Sequence, residues 1–82
     1  MTIRPGNIRA LREAVPLSQR QAANAAGFDQ RYWSDLERGL RPAQPDHLTK
    51  VAVVLGVPER ALTDAIAIEA GSGRVIFLVD IR

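Results

Sequence analysis

The feature that most constrains the fold is Gly27, which stands between two segments of opposite character. Residues 22–26 read AANAA, a strongly helix-favouring run, and the polar and aromatic segment FDQRYW follows the glycine at once. A glycine supplies the positive φ that a helix C-terminus often adopts. Asp29 is a favourable N-cap for a new helix. The pattern therefore predicts two helices joined at Gly27 rather than one helix with a defect.

The choice of residue at several positions fits two helices that cross at a steep angle. With Gln19 as the first position of the unit, Ala23 is the fifth, Gly27 the ninth, Trp33 the fifteenth and Leu36 the eighteenth. Helices that cross near 90–120° are closest at the fifth position, so a small side chain is needed there. Trp33 and Leu36 are three residues apart, which predicts that both face the core.

The rest of the chain predicts three more helices and one strand. A first helix over 7–15 has Asn7 as N-cap and is stopped by Pro16, and a fourth begins at Pro45 and ends at Gly56. A fifth helix is expected from Pro58, with these residues inward: Ala61, Leu62, Ala65, Ile66 and Ile68. After a flexible GSG break at 71–73, the segment RVIFLVDIR (74–82) predicts a strand.

Composition narrows the function classes. The chain of 82 residues has no cysteine and a single histidine, His47, which is expected to be exposed at a helix start. No nucleophile with a base, no metal site and no Gly-rich phosphate loop can be recognised, so neither an enzyme nor a cofactor is expected. Residues 1–41 carry a net charge of +3 and residues 42–82 carry −1, which makes the first half a candidate anion-binding half.

The segment SQRQAANAAGFDQRYWSDLERG (18–39) resembles the helix-turn-helix of lambda-repressor-like proteins, the Cro and XRE-type transcriptional regulators. The family pattern S-Q-x-x-L-A-x-x-x-G-x-x-x-x-x-I-x-x-x-E-x-G is matched at six positions: Ser18, Gln19, Ala23, Gly27, Glu37 and Gly39. IRALREAVPLSQ resembles the family's first helix, and LTKVAVVLGVPERAL (48–62) its fourth and fifth. The resemblance covers about residues 7–65 and implies a mainly α, five-helix lambda-repressor-like DNA-binding domain.

Three departures from the family pattern stand in the same unit. Ala22 replaces the usual Leu, Trp33 replaces Ile or Val, and Phe28 is large for its position. The larger aromatic side chains can fill volume that the alanines leave. The loop 40–45 varies in length and sequence within the family, so its contacts transfer least well.

The resemblance assigns roles to named residues. The second helix of the unit enters the major groove, which implies base contacts from Gln30, Arg31, Tyr32 and Ser34, and phosphate contacts from Gln19, Arg38 and Arg41. It also implies a structural ion pair between Arg12 and Glu37. Two of these assignments have alternatives: Tyr32 can pack against the loop instead, and Arg41 can be a solvated surface residue. Asp35 could accept from a cytosine amine, but it is expected to orient Arg31 or Arg38.

The C-terminal strand has no evident partner within the chain. Unpaired strand edges are aggregation-prone, so we expect the strand to pair with the same strand of a second copy through a dimerisation segment: Val75, Ile76, Phe77, Leu78, Val79 and Ile81. The alternative is a strand that folds back on its own domain. The expected organisation is a helix-turn-helix domain over 1–70, with the unit at 18–39, and a link and dimerisation strand over 71–82.

These observations predict a homodimeric, sequence-specific transcriptional regulator that binds double-stranded DNA at a palindromic operator, most simply a repressor that occludes a promoter. The helix over 29–38 would enter the major groove. The alternative is an antitoxin-like or adaptor module that engages a different protein through the C-terminal strand. No apolar signal-peptide core or membrane-spanning run is evident, and no small-molecule ligand is implied. A cytoplasmic, nucleoid-associated protein is therefore expected.

Overall fold

The computed structural model describes residues 3–78, which form four α-helices, a 3₁₀ turn and a two-stranded antiparallel sheet. The helices are α1 (Pro5–Ala14), α2 (Gln19–Ala26), α3 (Gln30–Glu37) and α4 (Pro45–Leu55). The 3₁₀ turn covers Glu59–Leu62, and the strands are β1 (Ile66–Ile68) and β2 (Val75–Phe77). The predicted mainly α fold is confirmed.

The joint between α2 and α3 has the predicted form. Ser18 starts α2 with a capping box, in which its hydroxyl accepts from the Gln21 amide at 3.0 Å and the Gln21 side chain accepts from the Ser18 amide at 2.9 Å. Gly27 ends α2 in the left-handed conformation with φ +78°. Gly39 has φ +71° after α3. The segment therefore forms two helices joined at Gly27, as predicted. A second glycine, Gly39, allows the chain to turn again after α3.

The core lies where α1, α2, α3 and α4 meet. Trp33 and Leu36 from α3 are fully buried, and Ala22 and Ala23 of α2 are as completely buried beside them. Phe28 is half-buried against the same core. The small residues on α2 and the large ones on α3 thus share one interior, as the substitutions relative to the family pattern suggested.

The expected N-cap at Asn7 is wrong. The helix α1 begins earlier, at Pro5, whose fixed φ suits the first turn of a helix. The Asn7 side-chain amide instead donates to the carbonyls of Ala61 at 3.0 Å and Asp64 at 2.8 Å. Asn7 thereby joins α1 to the segment after α4.

The expected fifth helix is also wrong. Only the single turn Glu59–Leu62 forms, and the chain becomes extended at Ile66–Ile68. In a continued helix the Ala61 carbonyl would accept from the amide four residues on, but here it accepts from Asn7. The β-branched residues of β1 then pair with β2, so tertiary contacts override the apolar spacing that suggested a helix.

The prediction that the C-terminal strand lacks a partner in the chain is wrong, because β2 pairs with β1. The register places Ile66 opposite Phe77, Ala67 opposite Ile76, and Ile68 opposite Val75. The hairpin packs its half-buried inner face on the helical core through Ile66, Ile68, Val75 and Phe77. The expected GSG break at 71–73 lies in the turn that joins the two strands.

Two residues of the predicted dimerisation segment, Val79 and Ile81, lie outside the described residues. The role of the segment in dimerisation stays a prediction, as does the division of the chain at residue 70. Within residues 3–78, no helix combines the length and apolar character needed to cross a membrane.

Candidate nucleic-acid interface

One face of α3 forms an open concave surface together with the start of α2. The surface encloses about 690 Å³ and is lined by Gln19, Gln30, Arg31, Ser34, Asp35, Arg38 and Leu40. Five of the seven predicted DNA contacts are therefore brought together. The other two, Tyr32 and Arg41, lie outside this lining.

The helical period explains this grouping. Gln30, Arg31, Ser34 and Arg38 recur at spacings of one, three and four residues, which places them on one side of α3. Trp33 and Leu36 take the opposite side and are fully buried. The same sequence pattern that anchors α3 in the core therefore presents its polar side chains outward.

A buried carboxylate, Glu37, fixes the end of α3 to α1 and α2. Its side chain is 3% exposed and accepts from Arg12 Nε at 2.6 Å and from Arg12 Nη2 at 3.1 Å. Gln19 Nε2 donates to Glu37 Oε1 at 3.2 Å, and the Trp33 indole donates to Glu37 Oε2 at 2.5 Å. We call these four residues the Glu37 network. It joins three helices at one point, since its members lie on α1, α2 and α3.

The Glu37 network keeps the carboxylate charged. Burial by itself raises the pKa of Glu37, but the hydrogen bonds from Arg12, Gln19 and Trp33 and the charge of Arg12 outweigh it, so the pKa lies below its ordinary value. In turn, the hydrogen bond to Glu37 raises the pKa of Arg12, against the opposing effect of burial. The negative charge of Glu37, beside the concave surface, is thus neutralised within the fold by Arg12.

The loop after α3 doubles back over the helix. The Leu40 amide donates to the Asp35 carbonyl at 2.9 Å, and Arg41 Nε lies 3.0 Å from Asp35 Oδ2. The expected pairing of Asp35 with Arg31 or Arg38 along the helix is therefore wrong. The loop brings Arg41 to Asp35, a contact between residues six apart that helical spacing does not predict.

Tyr32 also makes a contact that the sequence did not reveal. Its hydroxyl lies 2.7 Å from Nδ1 of His47, in the first turn of α4. His47 was expected to be exposed, but it is half-buried. Two further features were missed: Leu40, 61% exposed on the rim of the concave surface, and the indole of Trp33 as a donor. Of these, only the Trp33–Glu37 hydrogen bond could have been predicted from the sequence, because residues four apart in a helix lie next to each other.

The side chains on the concave surface suit binding through hydrogen bonds. Among the described residues, no group of three or more His, Cys, Asp or Glu side chains could hold a metal ion. The concave surface offers amides, a hydroxyl and guanidinium groups, which form hydrogen bonds with base edges and phosphates.

Comparison with known proteins identifies the family to which this chain is similar. Residues 7–66 match the helix-turn-helix domain family. An uncharacterised HTH-type transcriptional regulator of Mycobacterium tuberculosis is 40% identical over 55 residues, which are 67% of this chain and 39% of that protein. The same match is found in a second strain of that organism. The match thus spans well under half the length of these curated relatives.

Solved structures show the same fold. The restriction-modification controller protein C.AhdI from Aeromonas hydrophila is 33% identical, with a TM-score of 0.68 over 70% of this chain and 86% of that one. SinR, a master regulator for biofilm formation solved in complex with DNA, is 29% identical, with a TM-score of 0.67 over 71% of this chain and 97% of that one. The chain therefore belongs to the helix-turn-helix domain family, in its lambda-repressor-like (XRE) branch, and is a DNA-binding domain rather than an enzyme.

Proposed function

We propose that this protein is a homodimeric transcriptional repressor that binds a palindromic operator through major-groove insertion of the helix over 29–38. The observation that carries the proposal is the concave surface, where the outward side of α3 meets the start of α2. Arg31 and Arg38 both lie on it, and neither forms an ion pair with another residue in the described range 3–78. Their charges are therefore available to an anionic partner.

The residues divide into base contacts and phosphate contacts. Gln30 and Arg31 open α3, and the first residues of a recognition helix are those that meet base edges. Arg31 suits guanine O6 and N7, Gln30 suits adenine N6 and N7, and Ser34 suits either base. Arg38 at the end of α3 and Gln19 at the start of α2 suit phosphates, with Arg41 on the following loop.

The relatives support the proposed role in DNA binding and transcriptional regulation. SinR was solved bound to DNA, C.AhdI is a controller protein, and the Mycobacterium tuberculosis relatives are described as transcriptional regulators. The proposed place of action is the cytoplasm, in association with the nucleoid. An isolated helix-turn-helix reads few base pairs, whereas two copies read half-sites about one helical turn apart.

The hairpin offers a route to the dimer. In the antiparallel register, Val75 and Phe77 belong to non-hydrogen-bonded pairs, so their backbone amides and carbonyls point away from β1. No strand within the described part of the chain covers that edge of β2. Ile76 is 39% exposed and Leu78 54% exposed on the outer face. A second copy of β2 can pair here antiparallel about a two-fold axis.

Two arginine substitutions test the DNA assignment. After an operator is selected from random DNA, Arg31→Ala should weaken binding to it by about 1–3 kcal/mol and relax preference at one base position. Arg38→Ala should weaken binding to all sequences alike and lower the salt slope by about one. Arg9→Ala is the matched control, because it removes a mostly exposed α1 guanidinium that is absent from the concave surface. Unchanged binding by both variants would refute the docking geometry.

A proline substitution in β2 tests dimerisation through this strand. Val75→Pro removes an amide that points away from β1, so the β1–β2 hydrogen bonds remain while pairing with a second copy is blocked. Light scattering should show monomers with an unaltered circular dichroism spectrum. A persistent dimer would contradict pairing through β2.

The same exposed edge supports a second candidate, an antitoxin-like or adaptor module that engages a different protein through this strand. Capture of a distinct partner that Val75→Pro abolishes, together with no shift of operator DNA, would favour it.

A further inference from the structure

Three aromatic rings lie between α3 and the first turn of α4, on residues Phe28, Tyr32 and His47. Their centroids are 5.0 Å apart for Phe28 and Tyr32, 5.0 Å for Phe28 and His47, and 5.3 Å for Tyr32 and His47, all edge to face. Such arrangements are favourable and geometrically specific. The rings of Tyr32 and His47 are therefore held in fixed relation, and the 2.7 Å contact between Tyr32 Oη and His47 Nδ1 is part of that arrangement.

The direction of this hydrogen bond decides what Tyr32 can offer to a partner. A phenol has one O–H donor together with acceptor lone pairs, and a neutral imidazole has one bare nitrogen. When Nδ1 of His47 is bare, it accepts the Tyr32 proton, and the hydroxyl can then only accept from other groups. When the imidazole takes up a proton at Nδ1, that N–H donates to the Tyr32 oxygen. The phenolic proton is then free to turn outward.

The phenol keeps its own proton throughout this exchange. Burial raises the pKa of Tyr32 above its ordinary value, against the opposing effect of Arg41 and with a further contribution from Asp46. The chain has a single histidine and no cysteine. Histidine is the side chain that ordinarily changes charge between about pH 5 and 8.

We propose that His47 is a positioning residue that makes Tyr32 a hydrogen-bond donor to a DNA phosphate only when the imidazole is protonated. The proposal rests on the proposed function, in which α3 docks on DNA. Tyr32 lies in the first turn of α3 but outside the concave surface that holds the base-contacting residues. It borders the loop instead, where Arg41 stands 5.9 Å over its ring. A phosphate, which only accepts hydrogen bonds, is the suitable partner at this edge.

The protonated state also adds a positive charge beside the DNA-facing helix. An imidazolium at this position is repelled by the N-terminal end of α4, whose first turn also carries the acidic residue Asp46. Tyr32 on α3 contacts the imidazole directly. The charged groups next to its aromatic neighbours are Arg41 of the loop, 5.9 Å over the Tyr32 ring and paired with Asp35 of α3, and Lys50 of α4, 6.0 Å over the Phe28 ring. The α2–α3 turn contributes the uncharged ring of Phe28.

Binding measured against pH separates the donor effect from the charge effect. Fluorescence anisotropy with the selected operator, at constant ionic strength, should show about fivefold tighter binding at pH 5.5 than at pH 8, the gain expected from one additional hydrogen bond. Tyr32→Phe keeps the ring but lacks the hydroxyl, so its affinity should change less than twofold over this range. His47→Gln cannot titrate and should also be flat.

Two results would overturn the proposal. One is a pH-independent wild-type affinity. The other is Tyr32→Phe with the full pH dependence, because the added charge alone would then explain it. Circular dichroism of each variant confirms that it is folded.

A measurement without DNA separates failure of this proposal from failure of the proposed function. Imidazole nitrogen spectra of the free protein at pH 8 should show a bare Nδ1 and a protonated Nε2, and the Nδ1 signal should shift in Tyr32→Phe. A proton already on Nδ1 at pH 8 would refute the inference even if operator binding is strong. Absence of operator binding combined with a bare Nδ1 would refute the DNA role of both residues.

Discussion

Replacing Glu37 with alanine is the most informative perturbation of this fold. The substitution removes the acceptor for Arg12, Gln19 and Trp33, the other members of the Glu37 network. Arg12 retains one hydrogen bond, from Nη1 to the Leu17 carbonyl at 2.8 Å. Its side chain is only 12% exposed, so it cannot simply turn into solvent. The variant would therefore contain the buried guanidinium of Arg12 without its counter-charge and the buried indole of Trp33 without a hydrogen-bond acceptor.

The cost follows from these burials. Removing one partner of a buried ion pair destabilises a protein by about 3–5 kcal/mol, and the partial exposure of Arg12 favours the lower end. A domain of this length is stable by roughly 4–12 kcal/mol, so a loss of about 3 kcal/mol is a large fraction. Since 1 kcal/mol shifts the Tm of a small domain by about 4–8 °C, the Tm should fall by about 12–24 °C.

Thermal and urea unfolding measure this loss of stability. Unfolding should be followed by circular dichroism rather than by tryptophan fluorescence, because the substitution itself changes the surroundings of the Trp33 indole. Glu13→Ala is the matched control: Glu13 pairs with Arg9 at 3.4 Å, but the two side chains are 56% and 67% exposed. Exposed pairs on a helix contribute about 0.3–0.5 kcal/mol. Equal Tm values for Glu37→Ala and Glu13→Ala would show that the Glu37 network does not stabilise the fold.

Two further predictions concern the same core. Because the pKa of Glu37 is lowered in the folded state, its contribution is present above about pH 4.5 and is lost as the pH falls below that value. The stability difference between wild type and Glu37→Gln should therefore narrow from pH 5 to pH 3 in urea titrations, and a constant gap would contradict the ionised network. Ala23→Leu should cost about 1–3 kcal/mol by overpacking the fully buried contact on α2. Ala25→Leu is the control: it lies on the exposed side of α2 and should change stability by less than about 0.5 kcal/mol. Similar Tm values for Ala23→Leu and Ala25→Leu would contradict the idea that α2 needs a small side chain at Ala23.

Local signals in the sequence were sufficient for the helix-turn-helix unit. Gly27 has the positive φ that its position required, and Trp33 and Leu36 are buried as their spacing predicted. The capping box at Ser18 forms between residues three apart. Each of these features depends on neighbours within one or two helical turns, and the side-chain period then places Gln30, Arg31 and Ser34 together on the outer face of α3.

In the C-terminal third of the chain, tertiary contacts rather than local signals determine the secondary structure. The apolar spacing at Ala61, Leu62 and Ile66 fitted a helix, but Asn7 binds the carbonyl of Ala61 from 54 residues away. The residues after the 3₁₀ turn bury their apolar side chains by pairing with β2. A short apolar run can satisfy either a helix or a strand, and only the surface on which it packs decides between them.

The sequence by itself determined where the chain turns, which side of α3 is buried and which side is polar, because glycine conformation, capping and helical period act locally. Only the tertiary structure decided how the loop and α4 approach α3. The contacts of Arg41 with Asp35 and of His47 with Tyr32 join residues 6 and 15 positions apart through an irregular loop. No periodicity relates such positions, so the groups presented at that edge of α3 are set by packing.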